Sequence, residues 1–222
     1  MKLRIAWLAI LCLALGAISA SAQFGWTYDN GPVNGTTDAW TINFGYVVSD
    51  TYVSGGSFQG DGFFSLYVWE IEGDAVTSVS WTITGGENSG TLFGSGTASG
   101  AYLTDKFISD NQYSYAIDLI TVTGLDVQQN YGTTYWLNLV NATTRDGEPV
   151  YWDENSGVGC GGLNGTKQGC PSLASEIEEG TIPSEAFTIG GVQGPEPSII
   201  LLFGSSAVCL IGMRKRKFRN RA

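Results

Sequence analysis

The sequence predicts an all-β protein, an antiparallel β-sandwich that is jelly-roll-like and has an apolar segment at each end of the chain. Short runs in which every second side chain is apolar recur through the central part, with glycine-rich turns between them. No stretch of that part has the apolar spacing that an amphipathic helix requires. The alternation is typical of strands that turn one side to a core and the other to water, as in two sheets packed face to face.

Residues 1–22 are predicted to form a signal peptide. A short basic start is followed by an apolar stretch, Ile5–Ile18, which is shorter than a helix that spans a bilayer. Ala20 and Ala22 provide the small side chains of an Ala-x-Ala cleavage site. We therefore expect signal peptidase to cut after Ala22, so that the mature chain begins at Gln23. An uncleaved N-terminal anchor is the alternative.

Strand-like runs then follow one another at short intervals, and they predict a single β-sandwich domain over residues 23–189. In the third run Val79, Trp81 and Ile83 share one face, and in the sixth Tyr135, Leu137 and Leu139 do so. The eight runs are Ala39–Val48, Phe63–Ile71, Thr77–Thr84, Thr91–Ser99, Tyr113–Val122, Thr133–Asn141, Val150–Asp153 and Glu185–Ile189.

Two cysteines lie in a glycine-rich segment before the last run. Cys160 and Cys170 are expected to form a disulfide in an exported protein, inside one long loop that continues to Gly180. A zinc site is the rival interpretation, but two cysteines in a chain without histidine do not supply the usual four ligands. Residues 190–197 are predicted to be a linker after the domain.

The end of the chain combines a short motif, an apolar run and a basic cluster. Pro195, Glu196 and Pro197 precede the apolar run Ile199–Met213, whose 15 residues fall short of the ~20 that cross a bilayer core. Basic residues at such a position hold their end of the helix on the cytoplasmic side. They are Arg214, Lys215, Arg216, Lys217, Arg219 and Arg221.

This combination resembles the PEP-CTERM sorting signal. The resemblance implies an exported protein whose residues 198–222 form a transmembrane sorting helix with a basic tail. It further implies that an exosortase-type membrane transpeptidase recognises the tail and cuts near the motif. The protein would then be held briefly in the inner membrane before it reaches the cell surface or the extracellular space. A plain single-pass anchor is the alternative interpretation of the same segment.

The part between the two apolar ends is strongly acidic. It holds all 21 acidic residues and only Lys106, Arg145 and Lys167 as basic residues, which gives a net charge of −18. Such a chain is not expected to bind nucleic acid, because phosphate contacts require lysine and arginine. We expect the acidic side chains to form a solvated surface that keeps an exported protein soluble.

The absence of histidine removes the commonest general base and the serine-histidine-aspartate triad. Two carboxylates across a cleft could still hydrolyse a glycosidic bond. The candidates for such a pair are Glu70, Glu72, Asp118, Asp153 and Glu154. Sequence does not place any two of them across a cleft, so no catalytic residue is assigned.

Two aromatic segments are candidates for binding a glycan. The first contains Tyr135 and Trp136, and the second contains Tyr151, Trp152 and Asp153. They resemble the Tyr-Trp strand and Trp-Asp loop of exported β-sandwich proteins that have the same kind of tail. Aromatic rings stack on sugar rings, and carboxylates accept hydrogen bonds from sugar hydroxyls. The alternative is that the aromatic rings belong to the core.

A structural Ca²⁺ held by the oxygens of Asp153, Glu154 and Asn155 is a further interpretation, although no EF-hand-like spacing supports it. No other cofactor is expected. The leading functional hypothesis is a non-catalytic surface or extracellular-matrix protein, with extracellular polysaccharide as a candidate partner. A carbohydrate-binding module is the second hypothesis and a glycoside-active enzyme the third.

Overall fold

The computed structural model describes residues 23–36, 38–155 and 173–193. The signal peptide, Cys160, Cys170, the Pro-Glu-Pro motif and the basic tail lie outside these ranges, and the hypotheses about them stay predictions. Within the ranges no helix has the length and apolar character that crossing a bilayer requires. Phe24–Val192 form one compact unit.

The described residues are built from fifteen β-strands and one short 3₁₀ turn, Gly100–Tyr102. The strands are β1 Gln23–Asp29, β2 Ala39–Thr41, β3 Val47–Val53, β4 Phe58–Gln59, β5 Gly62–Ile71, β6 Val76–Gly86, β7 Ser89–Ser99, β8 Leu103–Asp110, β9 Tyr115–Leu125, β10 Gln128–Gln129, β11 Thr134–Thr144, β12 Tyr151–Asp153, β13 Ala174–Glu176, β14 Gly180–Ile182 and β15 Phe187–Gln193.

These strands form two antiparallel sheets. In the first sheet β5 is central: it pairs with β9 along its whole length, and β8 continues the sheet beyond β9. The opposite edge of β5 is shared between β15 and β12, which lead on to β1 and β2. The second sheet has the order β14-β13-β3-β11-β6-β7, and β4 pairs separately with β10.

The core lies where the two sheets face each other. Phe64 of the first sheet meets Trp81 of the second edge to face, with ring centroids 6.3 Å apart. The inward faces that alternation predicted for the third and sixth runs are buried in this core. These findings confirm an all-β, sandwich-like fold. Burial of apolar area between the sheets is its main source of stability.

Glycine on the edge strand β7 has a steric reason. Gly96 lies directly opposite Trp81 on the neighbouring strand, and a Cβ atom at Gly96 would lie 3.0 Å from the Trp81 ring. A Cβ atom at Gly94 would lie 2.7 Å from Val127. Side chains at these two positions would therefore push the indole and Val127 out of the core. The glycine content of this strand makes room for a large ring next to it.

Several features of the fold differ from the sequence prediction, and the strands β1, β4, β10 and β14 are among those that it did not contain. The run Ala39–Val48 is two strands, because the chain turns at Phe44 and Gly45, whose φ angles are 57° and 95°. The predicted loop before Gly180 contains β13, which pairs with β3 and β14. β15 continues to Gln193, into the predicted linker. β8 was not predicted, because its residues after Asp105 are all exposed and show no alternation in burial.

Candidate functional site

The described part of the chain buries acidic side chains without burying a basic one. Lys106 and Arg145, the two basic residues in the described ranges, are exposed, and Arg145 forms a surface ion pair with Asp146 at 3.1 Å. The expectation of a solvated acidic surface is therefore wrong for seven residues. They are Asp50, Glu70, Asp118, Asp153, Glu154, Glu176 and Glu185.

Three carboxylates meet at one end of the first sheet, and we call them the carboxylate cluster: Glu70, Asp105 and Asp118. Glu70 comes two residues after Val68 on the inward side of β5, and Asp118 comes two residues before Ile120 on the inward side of β9. Asp105 is opposite Ile120 on the edge strand β8. One carboxylate oxygen from each of the three lies within 4.8 Å of the other two. Three adjacent strands, β5, β9 and β8, thus each place an acid next to inward-facing apolar side chains at this end of the sheet.

The cluster has few hydrogen-bond donors. Both oxygens of Glu70 and Oδ1 of Asp105 and Asp118 are buried without a partner, apart from any proton that the carboxyls share. The backbone N–H of Val76 donates to Oδ2 of Asp105 at 2.7 Å. Because burial of an unpaired charge costs more free energy than burial of almost any other group, the cluster needs a proton or a cation.

Burial and mutual repulsion alter the acidity of the cluster. Burial, reinforced by the charges of Asp105, Asp118 and Asp74, raises the pKa of Glu70 to about 9. Burial also raises the pKa of Asp105 to about 6, although the Val76 amide opposes the change. In the absence of a bound cation, Glu70 is therefore protonated at neutral pH and can donate its proton to Asp118.

A second acidic group lies beneath the segment that connects β1 to β2. Asp153 accepts a hydrogen bond from the Gly35 amide at 2.9 Å, and Glu154 accepts one from the Trp40 indole at 3.3 Å. Burial raises the pKa of Asp153 to about 7 and, with the charge of Asp50, raises the pKa of Glu185 well above its usual value. These acids are parts of the interior rather than of an exposed loop.

The hypothesis of Ca²⁺ at Asp153, Glu154 and Asn155 stays a prediction. The side-chain amide of Asn155 donates to the carbonyl oxygen of Asn30 and to the Ser184 hydroxyl, both at 3.0 Å. In the described ranges, Glu70, Asp105 and Asp118 are the one set of three acids whose oxygens are close enough together to hold an ion. The carboxylate cluster is thus the better candidate for a metal.

The aromatic residues proposed for glycan binding do not form one surface. Tyr135 and Trp152 are fully buried, and Trp152 donates its indole N–H to the Ala186 carbonyl at 3.1 Å. Trp136 and Tyr151 are half-buried and belong to different sheets. Because rings without exposed surface cannot stack on a sugar, Tyr135 and Trp152 are part of the core.

Tyr151 instead belongs to an aromatic group on the outer side of the first sheet, which we call the outer-face array: Trp69, Tyr113, Tyr115 and Tyr151. Ring centroids lie 5.7 Å apart for Tyr115 and Tyr151, 6.0 Å for Trp69 and Tyr115, and 5.9 Å for Trp69 and Tyr113. Tyr113 is 52% exposed. Tyr113 and Tyr115 are two positions apart in the run Tyr113–Val122, so alternation predicts that they share one face, but the sequence does not indicate that Trp69 lies between them and Tyr151.

A pocket of about 230 Å³ opens beside the turn between β2 and β3. Its wall includes Phe44 and Asn141, both with positive φ angles, and Glu148 is the one ionisable residue that lines it. A single carboxylate does not supply the acid and base that hydrolysis of a glycoside requires. The pocket therefore offers no catalytic pair.

Comparisons with protein families and with curated sequences found no match. The similarity of the C-terminal residues to a sorting signal therefore stays a prediction. What the folded part does has to be inferred from its own residues.

In metal-free solution we expect the protein to lose stability as the pH rises from about 5 to about 9. The folded state retains a proton on Glu70 up to a pKa of about 9, whereas the unfolded state releases it near 4.5. Asp153 adds to the loss between 3.8 and about 7, and Asp105 between 3.8 and about 6. Since the folded state then binds more protons, each step upward in pH favours unfolding. Denaturant midpoints measured in EDTA by tryptophan fluorescence check this.

The substitution Glu70→Gln should flatten the profile between pH 7 and 9, because it removes the group that titrates there. Glu72→Gln, two positions along on the exposed turn, should leave the slope unchanged. A wild-type midpoint that stays level or rises across this range would show that Glu70 is ionised in the folded state.

Proposed function

We propose that this chain is a non-catalytic β-sandwich protein that is exported and sorted to the cell surface or the extracellular matrix. Signal peptidase would remove residues 1–22, and an exosortase-type transpeptidase would process the tail near Pro195–Pro197. The support for export is the N-terminal pattern with its Ala-x-Ala site and the short C-terminal apolar run that ends in basic residues.

The burial of the chemically capable side chains supports a non-catalytic role. A glycosidase places two carboxyl groups on either side of a cleft that admits a polysaccharide. Glu70 and Asp153 have no exposed surface, and Asp118 is 6% exposed. Glu72 lies on an exposed turn after β5. Four of the five candidate acids are thus buried, Glu154 among them at 5% exposed, and this burial is the observation on which the proposal depends.

We also propose that the two sheets form a jelly roll. The antiparallel pairs are nested: β2 pairs with β12, β3 with β11, β4 with β10 and β5 with β9. Nested pairs of this kind arise when one long antiparallel hairpin is wound into two facing sheets. Folds of this kind display loops and strand faces for contact with a partner, and they do not require a catalytic centre.

A second candidate function is the binding of a neutral glycan at the outer-face array. Tyr113 presents about half of its surface to solvent, with Tyr115 and Tyr151 half-buried behind it. Tyrosine suits this contact because its ring stacks on a pyranose face while its hydroxyl stays in water. A neutral glycan fits better than an anionic polymer, since the charge of −18 repels anions.

We predict that the mature protein from its native host begins at Gln23 and ends close to Pro195–Pro197. The reason is that both apolar segments are sorting signals that processing removes. Mass spectrometry of the intact protein gives both termini in one measurement. A mature protein that retains Arg214–Arg221 would contradict the sorting proposal, while the N-terminal cut would stand independently.

If the outer-face array binds a glycan, Tyr113→Ala should weaken binding of the full-length chain to neutral oligosaccharides by about 3- to 10-fold. One aromatic contact of this kind contributes about 0.5–1.5 kcal/mol. Titration calorimetry in high salt would separate stacking from attraction between charges. Tyr131→Ala is the matched control, because Tyr131 is 73% exposed and lies outside the array. Equal affinity in the two variants would remove the array as a binding site and leave the non-catalytic role.

A further inference from the structure

We propose that Glu70, Asp105 and Asp118 form a binding site for a calcium ion at one end of the sandwich. The site would join three adjacent strands of the first sheet, β5, β9 and β8. It is distinct from the outer-face array, which lies on the other side of that sheet. The proposal of a calcium site and the proposal of a glycan-binding surface at the outer-face array can therefore fail independently of each other.

The donor atoms and their spacing fit calcium. All three side chains offer carboxylate oxygens, which are the ligands that hard divalent cations prefer. Calcium takes oxygens at 2.3–2.6 Å, so two of its ligands lie at most about 5 Å apart. The three oxygens of the cluster lie within 4.8 Å of one another. Small movements of the side chains can therefore bring all three oxygens to one ion.

The burial of Glu70 is the second observation that indicates a ligand. Its side chain is 0% exposed, it extends into the cluster, and neither of its oxygens has a donor. A surface carboxylate is solvated by water, but this one has given up its hydration, and only a proton shared with the other acids of the cluster replaces it. A divalent cation would replace the lost hydration and neutralise most of the charge of the cluster.

No basic side chain of the described ranges takes this role. Lys106 follows Asp105 on β8, so it points to the opposite side of the sheet, and it is exposed. The Arg145 guanidinium is exposed and donates to Asp146 and to the Gly73 carbonyl, and it affects Glu70 only from a distance. The remaining charged neighbour, Asp74, is another acid, and its buried Oδ2 atom also lacks a donor. The local charge is thus negative from every side except that of Arg145.

The site also has an entrance and a competitor. Asp105 is half-buried on the edge strand, so an ion can enter from that side. Calcium suits the site better than magnesium, which retains several of its waters and requires near-octahedral geometry. Carboxylates bind a metal in the deprotonated form, so protons compete with calcium for these oxygens.

The test uses the full-length chain in mild detergent, freed of metal with EDTA and then dialysed. Calcium chloride at a hundred times the dissociation constant should raise the midpoint of thermal unfolding by about 5–10 °C. Magnesium chloride at the same concentration should have a much smaller effect. Titration calorimetry should show one tight site above the weak binding that an acidic surface gives.

Glu70→Gln should fold, because glutamine has the shape of the uncharged carboxyl that the metal-free protein has there. Asp118→Asn should fold, because it removes an acid from the cluster. Each variant should abolish the rise in the midpoint. Glu72→Gln is the matched control and should retain the full rise, since Glu72 is exposed and outside the cluster. An equal response to calcium in Glu70→Gln and Glu72→Gln would overturn the proposal and assign the effect to the surface. A folded wild-type chain with no response would overturn it as well.

Discussion

In the part of the chain that the structure describes, the interior of the sandwich contains carboxylates but no lysine or arginine to balance them. Seven buried acids and no buried lysine or arginine occur in the described ranges. Some of them are satisfied by backbone and side-chain donors: Asp50 accepts hydrogen bonds from Asn30, Ser184 and the Glu185 amide, and Glu176 accepts them from the next turn. Where such donors are missing, a proton or a bound cation has to stabilise the fold.

The topology explains why this need is greatest at the carboxylate cluster. β5 and β9 pair over their whole length, so their inward-facing rows run side by side to the same end of the sheet. The edge strand β8 adds Asp105 next to them. The pairing of β5 with the consecutive strands β8 and β9 thus brings three acids onto the rim of one core. We infer that stability, pH response and calcium binding are coupled there, since all three depend on the same oxygens.

The sequence predicted the elements whose pattern is local. Val79, Trp81 and Ile83 alternate within one strand, and the structure buries all three. Glu70 continues the inward-facing row of Phe64, Leu66 and Val68 on β5. Its partner Asp105 could not be identified from the sequence, because β8 shows no alternation that would mark it as a strand. For Tyr135 and Trp152 the pattern was visible in the sequence but its meaning was not. The same aromatic pattern is compatible with a sugar-binding surface and with a buried core, and only the packing of the rings distinguishes the two.

The most direct measurement is the number of protons that the wild-type chain releases when it binds calcium at pH 7. Titration calorimetry in two buffers with different heats of ionisation provides this number. We predict the release of about one proton per calcium ion, since Glu70 is protonated before the ion binds. Calcium binding without proton release, or no binding by the folded chain, would contradict the conclusion that the cluster alternates between a proton and a cation.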